Sequence, residues 1–341
     1  MLGVMWLHWA PPGWRGPIPF EIGLFFFLTL TGFLITRILL HERTAAEHRG
    51  ERWRVKAYLH FQKRRLVRTL LPCYAAMLFA IAVGAPDIRE HVLAYFGHWS
   101  NFHMAFMESW PSGTAHYWTL AVQIQFYLIW PLVVFLLPRK LLGPVFLMFV
   151  ALGPLSRMIV AHEFPEIHHS EAITATALDY FGVGALLALA LERGMKVGDK
   201  RLTWAAWIAF AGYAVLYTLT AMACPLDGFS YVQQTLVSVV FAGLISSTLA
   251  GFGGIREKIL DHAAVQHIGR LSFGLYLFHT PVPLFLGFVL PQLWLLTGPW
   301  QVIRLGVFTL TSWGLAWLCW RYLETRTAHP SRHAVSSSPS R

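Results

Sequence analysis

A histidine eight residues into the chain, inside the apolar run MLGVMWLHWA (1–10), is the first side chain with chemistry to offer. Polar groups are costly in a bilayer, so an ionisable residue in an apolar span is a functional candidate by default. A neutral imidazole can take a proton from a hydroxyl near neutral pH, which is general-base work. Flanked by Trp6 and Trp9, His8 equally fits an interfacial aromatic belt, and ten residues do not decide between the two. Arg65 and Arg68, three apart in FQKRRLVRTLLPCY (61–74), share one face of a helix. They serve either as ordinary basic anchors or as guanidinium forks for phosphate oxygens.

Further polar residues interrupt apolar runs downstream. YWTLAVQIQFYLIWPL (117–132) carries Gln123, Gln125 and Tyr127 among large aromatics. Such amides either bond to another helix or line a path for a polar acceptor. IGRLSFGLYLFHTPV (268–282) sets His279 three residues after Tyr276 and just before Pro281 and Pro283. Arg157 and Asp179 sit near the outer ends of two neighbouring runs and can neutralise one another, as can Arg321 and Glu324 in WRYLET (320–325). GLFFFLTLTGFLIT (23–36) places Gly32 among Thr29, Thr31 and Thr36, a pattern that lets a second helix approach closely.

These residues must be positioned by membrane helices. Of 341 residues, 56% are hydrophobic and 13% charged, where soluble domains carry roughly 25% charged residues. Apolar runs fall near 21–40, 69–85, 118–137, 141–161, 174–192, 203–222, 231–251, 271–292 and 302–321. The short run 1–10 covers only about 15 Å as a helix, half of a hydrocarbon core. It makes a tenth span that looks truncated at its N-terminus. Segment 91–108 is too polar to be an eleventh. The expectation is an all-α polytopic bundle of about ten transmembrane helices over 1–325, with 326–341 a disordered cytoplasmic tail.

The net charge of +10 does not point to nucleic acid, because the basic residues crowd into short links between apolar runs. Segment 41–68 holds nine Lys/Arg against three Glu, which places it in the cytoplasm. Counting spans from there puts Arg139/Lys140 and the 193–201 and 256–270 segments inside as well, with both termini cytoplasmic. The sequence 252–270 reads as a short amphipathic helix on the inner surface. Cys73, Cys224 and Cys319 show no CxxC spacing, so neither a zinc site nor a disulfide framework is indicated. No cleavable signal peptide is expected, since the first run lacks a basic leader.

Taken in order, His8, GLFFFLTLTGFLIT, RRLVRTLLPCY, YWTLAVQIQFYLIWP, IGRLSFGLYLFH and RYLET resemble the acyltransferase-3 family of integral membrane acyltransferases. The resemblance runs from Met1 to about Thr325. It implies transfer of an acyl group, most commonly acetyl, from cytoplasmic acyl-coenzyme A to a hydroxyl on an extracytoplasmic carbohydrate or lipid-linked glycan, in the cell membrane. It further implies that His8 is the catalytic residue, that Arg65 and Arg68 help hold the donor, and that no cofactor or metal is bound. Gln123, Gln125, Tyr127 and His279 are then contacts to the acceptor or to the path between the two sides. Direct transfer and a covalent acyl-histidine both stay open. Members of the family carry a basic residue upstream of the first-helix histidine, which here would precede Met1, so the first span is expected to begin earlier than this chain does. Family members also carry glutamate where this chain has Gln123, an amide that cannot act as a base, and serine at Thr31. Two other readings stand beside the enzyme: a carrier or flippase using His8, Arg157, Asp179 and His279, and an inactive relative.

Overall fold

The computed structural model describes residues 1–16, 19–47, 53–222 and 229–325. The expected tail 326–341 and Cys224 lie outside them. Among the described residues every regular element is a helix: α1 (Leu2–Trp9), α2 (Ile22–Glu47), α3 (Trp53–Ala82), the short α4 (Pro86–Glu90), α5 (Val92–Phe96) and α6 (Ser100–Ala105), then α7 (Tyr117–Leu136), α8 (Arg139–Glu163), α9 (Leu178–Glu192), α10 (Lys200–Ala221), α11 (Gln233–Leu249), α12 (Ile255–Asp261), α13 (Ala263–Phe278), α14 (Pro281–Val289) and α15 (Gln301–Cys319), which ends in a π turn at Trp320–Glu324.

Among the described residues, seven helices are long and apolar enough to cross a membrane: α2, α3, α7, α8, Thr174–Glu192, α10 and Gly298–Glu324. An eighth span forms if α13 and α14, bent by 70° at their junction, are counted as one. Each of the ten apolar runs therefore becomes helix, and the architecture is all-α and polytopic. Two runs stay short of a full crossing: α11 has 17 residues and α1 has 8. The 91–108 segment breaks into the short helices α5 and α6, as its polarity requires. The amphipathic segment is corrected in its extent. His262 adopts an extended ψ of 133°, ending α12 at Asp261, and residues from Ala263 onward begin the next membrane helix.

The chain folds as two compact units. The first comprises 1–59, 93–111 and 115–262. Here α9 packs against α2, α8 and α11, while α10 packs on α11. Phe33, Val183, Leu187, Ala188, Ala242 and Ile245 form the shared core of α2, α9 and α11. The α2–α9 contact depends on absent side chains: a Cβ on Gly32 would lie 2.7 Å from the Phe181 Cα, and one on Gly184 would meet the Thr29 and Phe33 backbone. Close backbone approach of this kind replaces the hydrophobic driving force that lipid does not provide. Among the described residues the second unit comprises 60–92, 112–114 and 263–325. Its central contact is α13 on α15, where Gly274 faces the Ala316 backbone.

Candidate functional site

In the first unit, α1 buries Met5 and Trp9 and leaves His8 exposed in its last turn. The helix ends because Pro11 and Pro12 follow, and Ala10 is already extended. Arg15 Nε donates to the Ala10 carbonyl at 3.1 Å, satisfying one acceptor that the helix end leaves open. His8 therefore lies in the last turn of a short helix whose end is closed by Arg15.

α7 supplies the polar residues that face other helices. Gln123 is 2% exposed and its Nε2 donates to Thr31 Oγ1 of α2 at 3.2 Å. Two turns further along α7, Trp130 Nε1 donates to Thr36 Oγ1 at 2.7 Å. The threonines of the Gly32 motif thus dock α7, while its glycine docks α9. Tyr127 is fully buried beside Phe126.

Gln125 occupies a different environment. Its Nε2 donates to the His98 carbonyl at 2.8 Å and to Asn101 Oδ1 at 2.9 Å, and its Oε1 accepts from the Thr174 hydroxyl. Asn101 Nδ2 in turn donates to Thr174 Oγ1 at 3.1 Å and to the Ala172 carbonyl at 3.0 Å. His98 holds the link between α5 and α6 in the left-handed region at φ 56°, rare for a residue with a side chain. It is nevertheless buried, and burial pushes its imidazole down to about 4. Gln125 was legible in the sequence as a buried amide; its partners His98, Asn101 and Thr174 were not. The one signal was the density of polar residues in 91–108, which marked a non-spanning segment but not where it docks.

Arg157 and Asp179 do pair. Arg157 Nη1 and Nη2 reach Asp179 Oδ1 and Oδ2 at 3.1 and 2.7 Å, a bidentate contact. The remaining donors go to the Tyr231 carbonyl at 3.0 Å, the Thr176 carbonyl and Thr235 Oγ1, and Thr235 donates to Asp179. Both charges are consumed within the fold. They offer no loose charge for a transport path.

The opposite end of this unit is basic. Arg43, 5% exposed, donates to the Val134 and Leu137 carbonyls at 2.6 and 2.8 Å and to Glu47 at 2.7 Å. Arg139 bridges Glu47 and Glu192 at 3.0 and 3.1 Å. The links from α2, α7–α8 and α9 therefore share one face.

In the second unit, Arg65 is half-buried and Arg68 exposed on α3. Arg68 acts electrostatically on Glu324, so the RRLVR and RYLET motifs belong to one charged group. His279 is fully buried at the break between α13 and α14. Its Nδ1 lies 2.7 Å from the Tyr276 carbonyl, which assigns the proton of the neutral ring to Nδ1 and leaves Nε2 as the basic nitrogen. The neighbouring Thr280 hydroxyl donates to the Gly113 carbonyl at 2.8 Å, tying down the backbone where the helix is interrupted.

The order of motifs and the all-helical fold agree with the comparison of this chain with known proteins. The family described as an acyltransferase domain matches residues 1–318. O-acetyltransferase OatA of Staphylococcus aureus is 30% identical over 294 residues, covering 77% of this chain and 46% of the relative. Peptidoglycan O-acetyltransferase OatA of Listeria monocytogenes is 26% identical over 286 residues, covering 76% of this chain and 44% of the relative. The chain thus spans somewhat under half the length of the curated relatives it matches. No solved structure matches it. With a match that runs over nearly all of its membrane helices, the chain belongs to the acyltransferase domain family.

Proposed function

We propose that this protein is a membrane O-acetyltransferase that moves an acetyl group from cytoplasmic acetyl-coenzyme A to a hydroxyl of a cell-envelope carbohydrate such as peptidoglycan. The observation that carries this reading is the family match over residues 1–318, joined by relatives named for O-acetyl transfer. The exposed position of His8 supports it, because a general base must be within reach of the proton it removes.

In this reading His8 takes the proton of the acceptor hydroxyl as that oxygen attacks the thioester carbonyl. The carbon–sulfur bond breaks and the coenzyme A thiolate leaves, to be reprotonated. A well-placed base contributes roughly 10²- to 10⁴-fold. Arg65 and Arg68 bind donor phosphates through charge-assisted hydrogen bonds. Gln125, held by three polar partners, keeps the outer end of α7 in shape for the acceptor. The lysine- and arginine-rich links are cytoplasmic in this reading, and so are both termini.

The test uses membranes containing the full protein, labelled acetyl-coenzyme A and isolated envelope glycan. His8→Ala is expected to lower acetyl incorporation by at least about 100-fold. Undiminished incorporation would remove His8 from the chemistry. Arg65→Ala with Arg68→Ala is expected to raise the donor KM in a salt-sensitive way, and an unchanged KM would assign the pair to anchoring alone.

A further inference from the structure

A cavity of about 570 Å³ opens at the arginine-rich end of the first unit. This is within the roughly 300–1,000 Å³ of ligand pockets. Arg37, Leu40 and His41 of α2 form one wall, Leu191 and Glu192 at the end of α9 another, and Leu249 at the end of α11 a third. Arg37 and His41 are one helical turn apart and share a face. The apolar run of α2 stops at Leu40, so the cavity straddles the level where hydrocarbon gives way to ionic groups.

The charges in this cavity are unequal in their commitments. Glu192 is already bridged by Arg139 at 3.1 Å. Among the described residues Arg37 makes no ion pair; its guanidinium lies 5.9 Å from the Phe33 ring and is exposed. An uncommitted cation thus faces a space whose other walls are largely aliphatic, and one of those walls, Leu249, is itself 41% exposed. A soluble phosphate would leave the leucines wet. A purely apolar occupant would leave the arginine without an anion. Basic pockets between membrane helices take lipid headgroups for this combined reason.

We propose that this pocket holds the phosphate headgroup of an anionic phospholipid, with Arg37 as its charge partner and His41 as a second hydrogen-bonding group. The glycerol and first acyl carbons lie against Leu40, Leu191 and Leu249. Occupancy ties the ends of α2, α9 and α11 to the adjoining leaflet. The inference rests on α2 as a membrane helix and is independent of acyl transfer.

The test is retention of phosphatidylglycerol against phosphatidylcholine with the same acyl chains, counted by native mass spectrometry on the full chain in detergent. Phosphatidylglycerol is expected to be retained in preference, and Arg37→Ala to lower that retention about fivefold, the worth of one arginine near an anionic lipid surface. Arg37→Lys is expected to keep most of it. Equal retention of the two lipids, or phosphatidylglycerol held undiminished by Arg37→Ala, overturns the proposal. So does displacement of the lipid by inorganic phosphate or acetyl-coenzyme A, which would make the occupant a soluble phosphate compound. If Arg37→Ala melts earlier than the parent, Val197→Trp decides by the same readout, since it narrows the pocket and keeps both Arg37 and His41. Loss of phosphatidylglycerol there supports the site, and retention overturns it.

Discussion

Arg157 and Asp179 are the most deeply buried charges in the first unit, at 4% and 0% exposure, and every polar direction around them is answered. A pair like this owes its persistence to completeness, because removing one partner leaves the other charge buried and alone. Asp179→Asn keeps the shape and deletes the countercharge. It is expected to cost about 3–5 kcal/mol, seen as a large drop in melting temperature in detergent, whereas a loss under 1 kcal/mol would mean that Arg157 finds water or another anion. His98 makes the opposite kind of statement about charge. Its imidazole is held near 4 by burial, below the ordinary value of 6.5. Between those values the unfolded chain binds a proton that the folded chain refuses, so stability present above pH 6.5 is lost as the pH falls toward 4. The full interval corresponds to at most about 3 kcal/mol. Melting curves from pH 7 to 4.5 should fall more steeply for the parent than for His98→Gln; parallel curves would show that His98 titrates normally.

Helices in this fold meet through what the sequence omits as much as through what it places. The motif GLFFFLTLTGFLIT was legible as a packing face, and the structure gives three of its small residues a definite neighbour: Gly32 the Phe181 backbone, Thr31 the Gln123 amide, Thr36 the Trp130 indole. What the pattern did not disclose was which helices would answer it, since neither α7 nor α9 is adjacent to α2 in sequence. Gly32→Val pushes a branched side chain into the main chain of α9, where no rotamer change gives relief. A cost above the roughly 1–3 kcal/mol of ordinary overpacking is expected, with loss of folded protein in membranes. Thr36→Val, which keeps the volume and deletes only the bond to Trp130, should cost no more than about 1–2 kcal/mol. If Gly32→Val accumulates and melts like the parent, the α2–α9 contact is looser than the backbone distances state. The bend between α13 and α14 follows from equally local causes. Pro281 starts a new helix and cannot continue the old one, so His279 is left at an interruption rather than in mid-helix.

At the scale of the molecule, the count of apolar runs foretold where helices form, and it failed where length was decided by neighbours. α11 stops at 17 residues because the chain turns at Ala250 and Gly251, the latter at φ 84°. The 252–270 segment has the composition of a surface helix, yet its second half is drawn into the span that follows. Charge distribution was the more durable signal. Three of the basic links found by counting meet in space: Arg43 from the end of α2 and Arg139 from the start of α8 share Glu47, Arg139 also holds Glu192 from the end of α9, and Arg193 donates to the Arg139 carbonyl. The other end of the same unit carries His169, Glu171, Asn101 and the Arg157–Asp179 pair, with the backbone of His169 bonded to the Ala105 carbonyl.

Such a division of charge has a direct consequence for orientation, because lysine and arginine links resist translocation while acidic links do not. Lys196, exposed just after α9, should therefore lie in the cytoplasm, and Glu166, exposed between α8 and α9, on the far side. Cys73 and Cys319 are buried, so in a Cys224→Ser background a cysteine placed at either surface position reports its own side. A membrane-impermeant maleimide on intact cells is expected to label Glu166→Cys within minutes and to leave Lys196→Cys unlabelled until the cells are opened. The reverse pattern would turn the arginine-rich end of the first unit outward and overturn the orientation read from the charges. Labelling of both in intact cells would mean that α9 does not cross the membrane, despite its 67% buried apolar window and its fit against α2.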